Sequence, residues 1–267
     1  MKIEKYFLAA FVFGFIISGC ATVPITGRRQ LSFIPQSQLT ALSNSNYRQL
    51  LAESKLSADK NKIDQLNTIG RRIAGAAEQF LRENGRESDI KNYLWEFTVI
   101  DDSKTVNAFA MPGGKVAAYT GILPLTQDND GLAVVIGHEV AHAIANHGNE
   151  RMSQMLIVQL GGMTLAQAVK EKPERTQELL FLAYGVGANI GVLLPYSREH
   201  ETEADRIGLI LMARAGYNPR AAVPFWERMK AKSGSGRPPE FLSTHPAPER
   251  RIEDLKKFMP EALEFYK

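Results

Sequence analysis

His138-Glu139-Val140-Ala141-His142 follows directly on an apolar run, residues 132–137. On a helix, residues four apart differ by about 40° around the axis, so His138 and His142 share one face and can reach the same cation. Zinc suits imidazole, and a catalytic zinc uses three protein ligands and leaves one position for water. Glu139 is placed to take a proton from that water rather than to bind the metal. The stretch predicts a buried helix that carries two ligands and the general base of a hydrolytic zinc site.

A third ligand has to come from elsewhere in the chain. A metzincin-type pattern would place a third histidine six residues after His142, where Gly148 stands. His147 is one residue early and, if the helix continues, points about 140° away from His142. We therefore expect His147 to be a surface residue or a residue that supports a ligand, not a ligand itself.

Two acidic residues downstream are better candidates. Glu201 and Asp205 are four residues apart and share one face of a helix. A carboxylate ligand followed one turn later by a carboxylate that orients a ligand histidine is an arrangement that zinc sites use. The alternative is a solvated, charged helix. The apolar residues 207–212 follow directly, and they favour a helix packed in the core.

The remaining patterns predict an α+β fold that is predominantly helical. Apolar residues recur at three-and-four spacing over residues 61–84, which indicates an amphipathic helix. Residues 95–100 alternate as a strand does, and residues 106–120 read as a hairpin around Pro112-Gly113-Gly114. From residue 129 onward the chain is predicted to be helical almost to its end.

Residues 179–196 are nearly uncharged and long enough to be considered as a membrane span. They are rich in glycine and alanine and are interrupted at Pro195. We expect a buried core helix, or a helix that lies against a membrane or a partner, in preference to a span.

The N-terminus has the parts of a bacterial lipoprotein signal. Lys2 and Lys5 precede an apolar stretch that ends Ile17-Ser18-Gly19-Cys20, and Cys20 is the only cysteine in the sequence. We predict a signal peptide at residues 1–19, lipidation of Cys20, a tether over residues 20–36 and a peptidase domain over residues 37–267. Ala21, rather than Asp, follows the cysteine, which by resemblance to Gram-negative sorting favours the outer membrane and a periplasmic location.

The combination of motifs resembles the family-48 metallopeptidases. Residues 138–142, 201–205 and Ser243-Thr244-His245-Pro246 occur in the same order in that family. Residues 107–114 are similar to its substrate-binding edge strand and hairpin. The resemblance covers roughly residues 60–257, and the combination is far more specific than any single motif.

The resemblance implies a zincin-like domain of the gluzincin type with a small sheet, one Zn²⁺ per chain and unfolded polypeptides as substrates. It makes Glu201 the third ligand and Asp205 the carboxylate that orients a ligand histidine. It suggests His245 or Arg251 as a donor to the oxyanion, with His245 as a fourth, inhibitory ligand in the alternative. It also implies that substrate pairs with the strand formed by Asn107, Ala108, Phe109 and Ala110.

These patterns favour a lipid-anchored zinc endopeptidase that removes unfolded or misassembled envelope proteins, with the outer-membrane assembly machinery as a further candidate partner. A chaperone or scaffold lipoprotein with a structural zinc is the alternative. A membrane-embedded protease is a third reading, which depends on residues 179–196. Nucleic acid is not an expected partner, because the pI near 8.9 comes with no stripe of lysine and arginine interleaved with aromatic residues.

Overall fold

The structure is a computed structural model of the chain, and it describes residues 20–188, 194–234, 238–245 and 250–267. The predicted signal peptide, residues 1–19, lies outside the described residues. So does Pro246 of the motif that contains His245.

The described part of the chain combines helices with two small sheets. The strands are β1 (Cys20–Thr22), β2 (Arg29–Leu31), β3 (Glu96–Ile100), β4 (Ala108–Met111) and β5 (Lys115–Tyr119). The helices are α1 (Gln36–Glu53), α2 (Lys60–Glu83), α3 (Glu87–Ile90), α4 (Leu123–Thr126), α5 (Asn129–Ile144), α6 (His147–Val169), α7 (Glu174–Ala188), α8 (Leu194–Arg214), α9 (Ala222–Ser233), α10 (Glu240–Thr244) and α11 (Arg251–Leu263). The predicted α+β, predominantly helical fold is confirmed.

The sheet has the order β3-β5-β4, so β4 is an edge strand. β3 pairs with β5 in parallel, and β4 pairs with β5 as an antiparallel hairpin. Gly113 and Gly114 form the turn with φ values of 87° and 84°, a conformation that glycine adopts without steric cost. The hairpin therefore lies where the sequence predicts it.

Helix α5 forms the centre of the core. The side chain of Asp128 accepts a hydrogen bond from the Gly131 N–H and caps the start of the helix. Residues from Gly131 to Ala141 are all buried, because α2 and α8 cover the helix on two sides and β4 lies against it. The apolar run before His138 is thus the reason that the first ligand is buried.

The N-terminal segment differs from the extended tether predicted for residues 20–36. β1 and β2 form an antiparallel hairpin, and Val23 belongs to the main hydrophobic core. Beyond the hairpin, the Phe33 N–H donates to Ser153 Oγ at 2.9 Å and Asn149 Nδ2 donates to the Ile34 carbonyl at 2.7 Å. This segment is therefore packed against the start of α6.

Helices α6 and α7 leave apolar side chains uncovered. Leu182 is 66% exposed and Met163 is 63% exposed. The other large exposed apolar residues on this pair are Met155, Leu156, Ile157, Leu160, Leu179, Leu180 and Phe181. The expected buried helix is thus not formed by residues 179–182, and within the described ranges no helix is both long and apolar enough to cross a membrane.

Helices α5 and α8 touch through their backbones. A Cβ atom added to Gly137 would lie 2.9 Å from the Gly208 carbonyl oxygen, and one added to Gly208 would lie 2.9 Å from the His138 nitrogen. Both contacts are with backbone atoms, which cannot relieve a clash by a change of rotamer as a side chain can. Because His138 and Asp205 lie within one turn of this crossing, the glycine pair sets the distance between the two helices at the candidate site.

We predict that Gly208→Ala lowers the free energy of unfolding by about 1–3 kcal/mol, because the added methyl forces the two helices apart. Gly75→Ala is the matched control, since nothing lies within 4 Å of the added Cβ there. That change should raise stability by roughly 0.5–1 kcal/mol, the usual gain from replacing glycine in a helix. Urea denaturation of the two variants measures both values, and equal effects would show that the close crossing is not a packing constraint.

Candidate metal centre

Four side chains bring donor atoms to one point in the core. They are His138 and His142 of α5, Glu201 of α8 and His245 just after α10, and their donor atoms all lie within 4.8 Å of one another. The Nε2 atoms of His138 and His142 are 3.0 Å apart. Glu201 Oε2 lies 3.2 Å from Nε2 of His138, and Glu201 Oε1 lies 3.4 Å from Nε2 of His142.

This donor set fits a metal cation. The Nε2 atoms of His138 and His142 face each other, so they cannot both carry a proton. When neither is protonated, they present two lone pairs beside the carboxylate of Glu201. Glu201 is fully buried, and its Oε2 has no hydrogen-bond donor. Arg251 Nη1 lies 3.5 Å from this oxygen, too far for a good hydrogen bond, and a cation among these atoms would satisfy all of them.

The pKa values of the two histidines differ because their surroundings differ. Burial opposes protonation of His138, but hydrogen bonds to Asp205 and Glu201 outweigh it and raise the pKa to about 9. Burial lowers the pKa of His142 to about 3. Burial also opposes the ionised form of Glu201, yet the neighbouring histidines hold its pKa well below the usual value.

Asp205 orients the ring of His138. Its Oδ1 lies 2.9 Å from His138 Nδ1, so the ring directs Nε2 toward the ligand cluster. Arg251 Nη2 donates to the same oxygen at 2.7 Å, and its guanidinium lies 3.4 Å above the ring of Trp226. Arg251 is 3% exposed, lies behind the ligands and does not line the cleft. Arg251 therefore holds Asp205 in place. Its position does not favour the predicted role as a donor to the oxyanion.

Glu139 lies on the opposite side of the cluster, at the base of the cleft. It is 1% exposed, and burial raises its pKa, while the backbone N–H of Ala110 favours the ionised form. His245 Nε2 lies 3.4 Å from Glu139 Oε1, and His245 Nδ1 lies 3.2 Å from His138 Nε2. His245 therefore faces both the candidate base and the candidate ligands.

The predicted substrate strand divides into two parts. Asn107 and Ala108 are buried, and the Asn107 amide donates to Glu240 at 3.2 Å, which holds α10 against the strand. Phe109 and Ala110 line a cleft of about 240 Å³, together with Pro112, Glu139, His142, Ala143, Asn146, His147, Gly148, Arg151, Thr244 and His245. Only the second half of the predicted strand faces the site.

His147 is turned back toward the ligands. Helix α5 ends at Ile144, and Asn146 adopts a left-handed conformation with φ 60°, which asparagine tolerates better than most residues. His147 Nδ1 then lies 2.8 Å from His142 Nδ1. Of the two expected positions, the surface position rested on a continuous helix and is wrong, since His147 is buried. The other expectation, a residue that supports a ligand, agrees with its contact with His142, and His147 is not among the four donors.

Four further polar residues near His147 were not predicted from the sequence: Arg28, Glu150, His200 and Glu203. The side chains of Glu150, His200 and Glu203 are at most 5% exposed. Asn146-His147, the polar break between two helical segments, is the one local signal that the chain bends here.

Comparisons with known proteins agree with this geometry. The model of peptidase family M48 matches residues 70–259. The mitochondrial metalloendopeptidase OMA1 of Schizosaccharomyces pombe is 34% identical over 94% of this chain and 72% of its own. The human mitochondrial metalloendopeptidase OMA1 is 31% identical over 97% of this chain and 50% of its own. The beta-barrel assembly-enhancing protease of Escherichia coli is 27% identical over 88% of this chain and 46% of its own. The chain therefore belongs to peptidase family M48.

Proposed function

We propose that this metalloendopeptidase uses Zn²⁺, held by His138, His142 and Glu201, to hydrolyse unfolded or misassembled proteins of the bacterial cell envelope. The observation that carries the proposal is the convergence of two imidazoles and one carboxylate beside a buried glutamate. A ligand set of nitrogen and oxygen donors that includes no cysteine is typical of catalytic rather than structural zinc. This favours an enzyme over the alternative of a chaperone with a structural zinc.

The protein groups divide the work of peptide hydrolysis among them. A metal at the site supplies Lewis-acid chemistry that polarises the scissile carbonyl and lowers the pKa of the attacking water. Glu139 accepts the proton of that water and returns it to the leaving amine. Its buried position strengthens it as a base, because burial raises its pKa. Asp205 keeps His138 in the tautomer that presents Nε2 to the metal.

The edge strand supports an extended substrate. β4 has one neighbour in the sheet, β5, and its other edge faces α5 and the cleft. An edge strand binds a peptide through backbone groups and is largely indifferent to its side chains. Such binding suits an enzyme that removes many different unfolded chains. His245, beside Glu139, is the nearest candidate for a donor to the oxyanion, and a fourth metal ligand in the alternative.

The location is proposed from the sequence. The basic start, the apolar stretch and Ile17-Ser18-Gly19-Cys20 support a lipid anchor at Cys20, and Ala21 supports the periplasmic face of the outer membrane. The Escherichia coli relative is named for β-barrel assembly, which supports the outer-membrane assembly machinery as a partner. The relatives named mitochondrial provide the competing location.

Glu139→Gln is expected to retain zinc and to lower the rate of casein cleavage by about 10²–10⁴-fold, the usual contribution of a general base. Zinc content is measured by mass spectrometry and cleavage by release of labelled peptides. Glu227→Gln, the same change at an exposed position, should leave both unchanged. Full cleavage by the zinc-loaded E139Q variant would remove Glu139 from its proposed role. A wild-type protein that binds zinc, suppresses aggregation and cuts nothing would support the chaperone.

Cys20→Ser is expected to abolish incorporation of labelled palmitate in bacterial cells, because Cys20 is the sole cysteine and the proposed site of acylation. Ser18→Ala is the matched control, since it keeps a small residue before the cysteine and should preserve labelling. Palmitate labelling of C20S equal to that of the wild type would contradict the anchor at Cys20.

A further inference from the structure

In the N-terminal hairpin, the guanidinium of Arg28 lies between the buried carboxylates of Glu150 and Glu203. Arg28 donates from Nη1 and Nη2 to the two oxygens of Glu150 at 2.9 and 2.7 Å. Its Nε donates to Glu203 Oε2 at 2.9 Å, and Thr26 Oγ1 donates to the other oxygen of Glu203. Burial opposes the charge of Arg28, but the bonds to Glu150 and Glu203 outweigh it and raise its pKa.

The same two carboxylates each hold an imidazole. Glu203 Oε2 lies 3.0 Å from His147 Nε2, and Glu150 Oε2 lies 2.8 Å from His200 Nε2. The two imidazole rings stack at 4.3 Å between centroids. His147 alone of this pair reaches a metal ligand, through the 2.8 Å contact between its Nδ1 and Nδ1 of His142.

The direction of these hydrogen bonds is fixed by the metal site. His142 presents Nε2 to the ligand cluster, so its Nδ1 carries the proton and donates to His147 Nδ1. A neutral His147 that accepts at Nδ1 must carry its proton on Nε2, and it donates that proton to Glu203. Glu203 is then held in place by Arg28. The chain of bonds runs from the hairpin to the metal ligand without a break.

The network is more than is needed to attach a hairpin. Burying two carboxylates is costly, and one bidentate pair with Glu150 would be enough to dock Arg28. Asp205 supports His138 directly, whereas no carboxylate in the described part of the chain is shown in direct contact with Nδ1 of His142. Glu203 supports His142 through His147 instead.

We infer that Arg28 is a positioning residue of the metal centre: through Glu203 and His147 it holds His142 in the tautomer and orientation that bind the cation. The inference rests on the proposed function, because it assumes that His142 is a ligand. It makes the segment after Cys20 a support of the active site, through Arg28. Loss of a group that supports a metal ligand commonly weakens metal binding 10–100-fold.

The test compares Glu203→Gln with Glu150→Gln in the full chain. Both glutamates are buried and both bind Arg28, but only Glu203 contacts His147. The zinc dissociation constant is measured by competition with a chromophoric chelator, and the fold of the metal-free protein by its thermal transition. We expect E203Q to weaken zinc binding about tenfold or more, and E150Q to weaken it less than about threefold. The visible spectrum of the Co²⁺-substituted protein should shift for E203Q alone.

Arg28→Gln should behave like E203Q, and Arg29→Gln, which removes the same charge from an exposed neighbour, should behave like wild type. Combining R28Q with His147→Phe should weaken zinc binding little more than H147F alone, because both changes break one chain of bonds. If R28Q does not fold, the comparison of E203Q with E150Q decides. Equal zinc affinities for E203Q and E150Q would overturn the inference about Arg28 and leave the proposed function intact. A wild-type protein that does not bind zinc would overturn both.

Discussion

The distance between two helix backbones determines whether this metal site exists. Helix α5 carries two candidate ligands and α8 carries the third. The backbones of the two helices are in contact at Gly137 and Gly208. A side chain on either glycine would separate the helices and draw Glu201 away from the histidines. The packing of the core and the geometry of the site are therefore one constraint, and the apolar residues around α5 serve both.

Charge balance is the second requirement of the site. The site contains three buried carboxylates, those of Glu139, Glu201 and Asp205. Such a group is unfavourable without positive charge. Arg251 offsets Asp205 from the C-terminal helix, and a cation would offset Glu201. Glu139 is left without a hydrogen-bond donor on Oε1, which suits a group that has to exchange a proton.

Local patterns were sufficient for much of the fold. The three-and-four spacing of α2, the alternation of β3 and the turn residues of the β4–β5 hairpin describe structure that neighbouring residues determine together. The spacing of the two histidines and of Glu201 and Asp205 placed the candidate ligands on helix faces for the same reason. The sheet order and the approach of the two helices depend on contacts far apart in the chain, and no local pattern encodes them.

The sequence interpretation failed where an interaction is non-local. Pro24 and Gly27 made residues 20–36 look like a tether, but the partners of Arg28 are more than a hundred residues away. His147 was placed by extending a helix that ends in a left-handed residue. Arg251 was placed at the substrate because a motif precedes it, whereas its contacts with Asp205 and Trp226 lie behind the ligands.

The positions of Arg28 and Arg251 also have a consequence for the order in which the site forms. The guanidinium behind His138 belongs to α11, and the one that supports His142 belongs to the turn between β1 and β2. A chain emerging from the ribosome holds both histidines long before α11 has been made. The two supporting charges are thus present together only after α11 has been made. A chain that ends before α11 therefore lacks the assembled site.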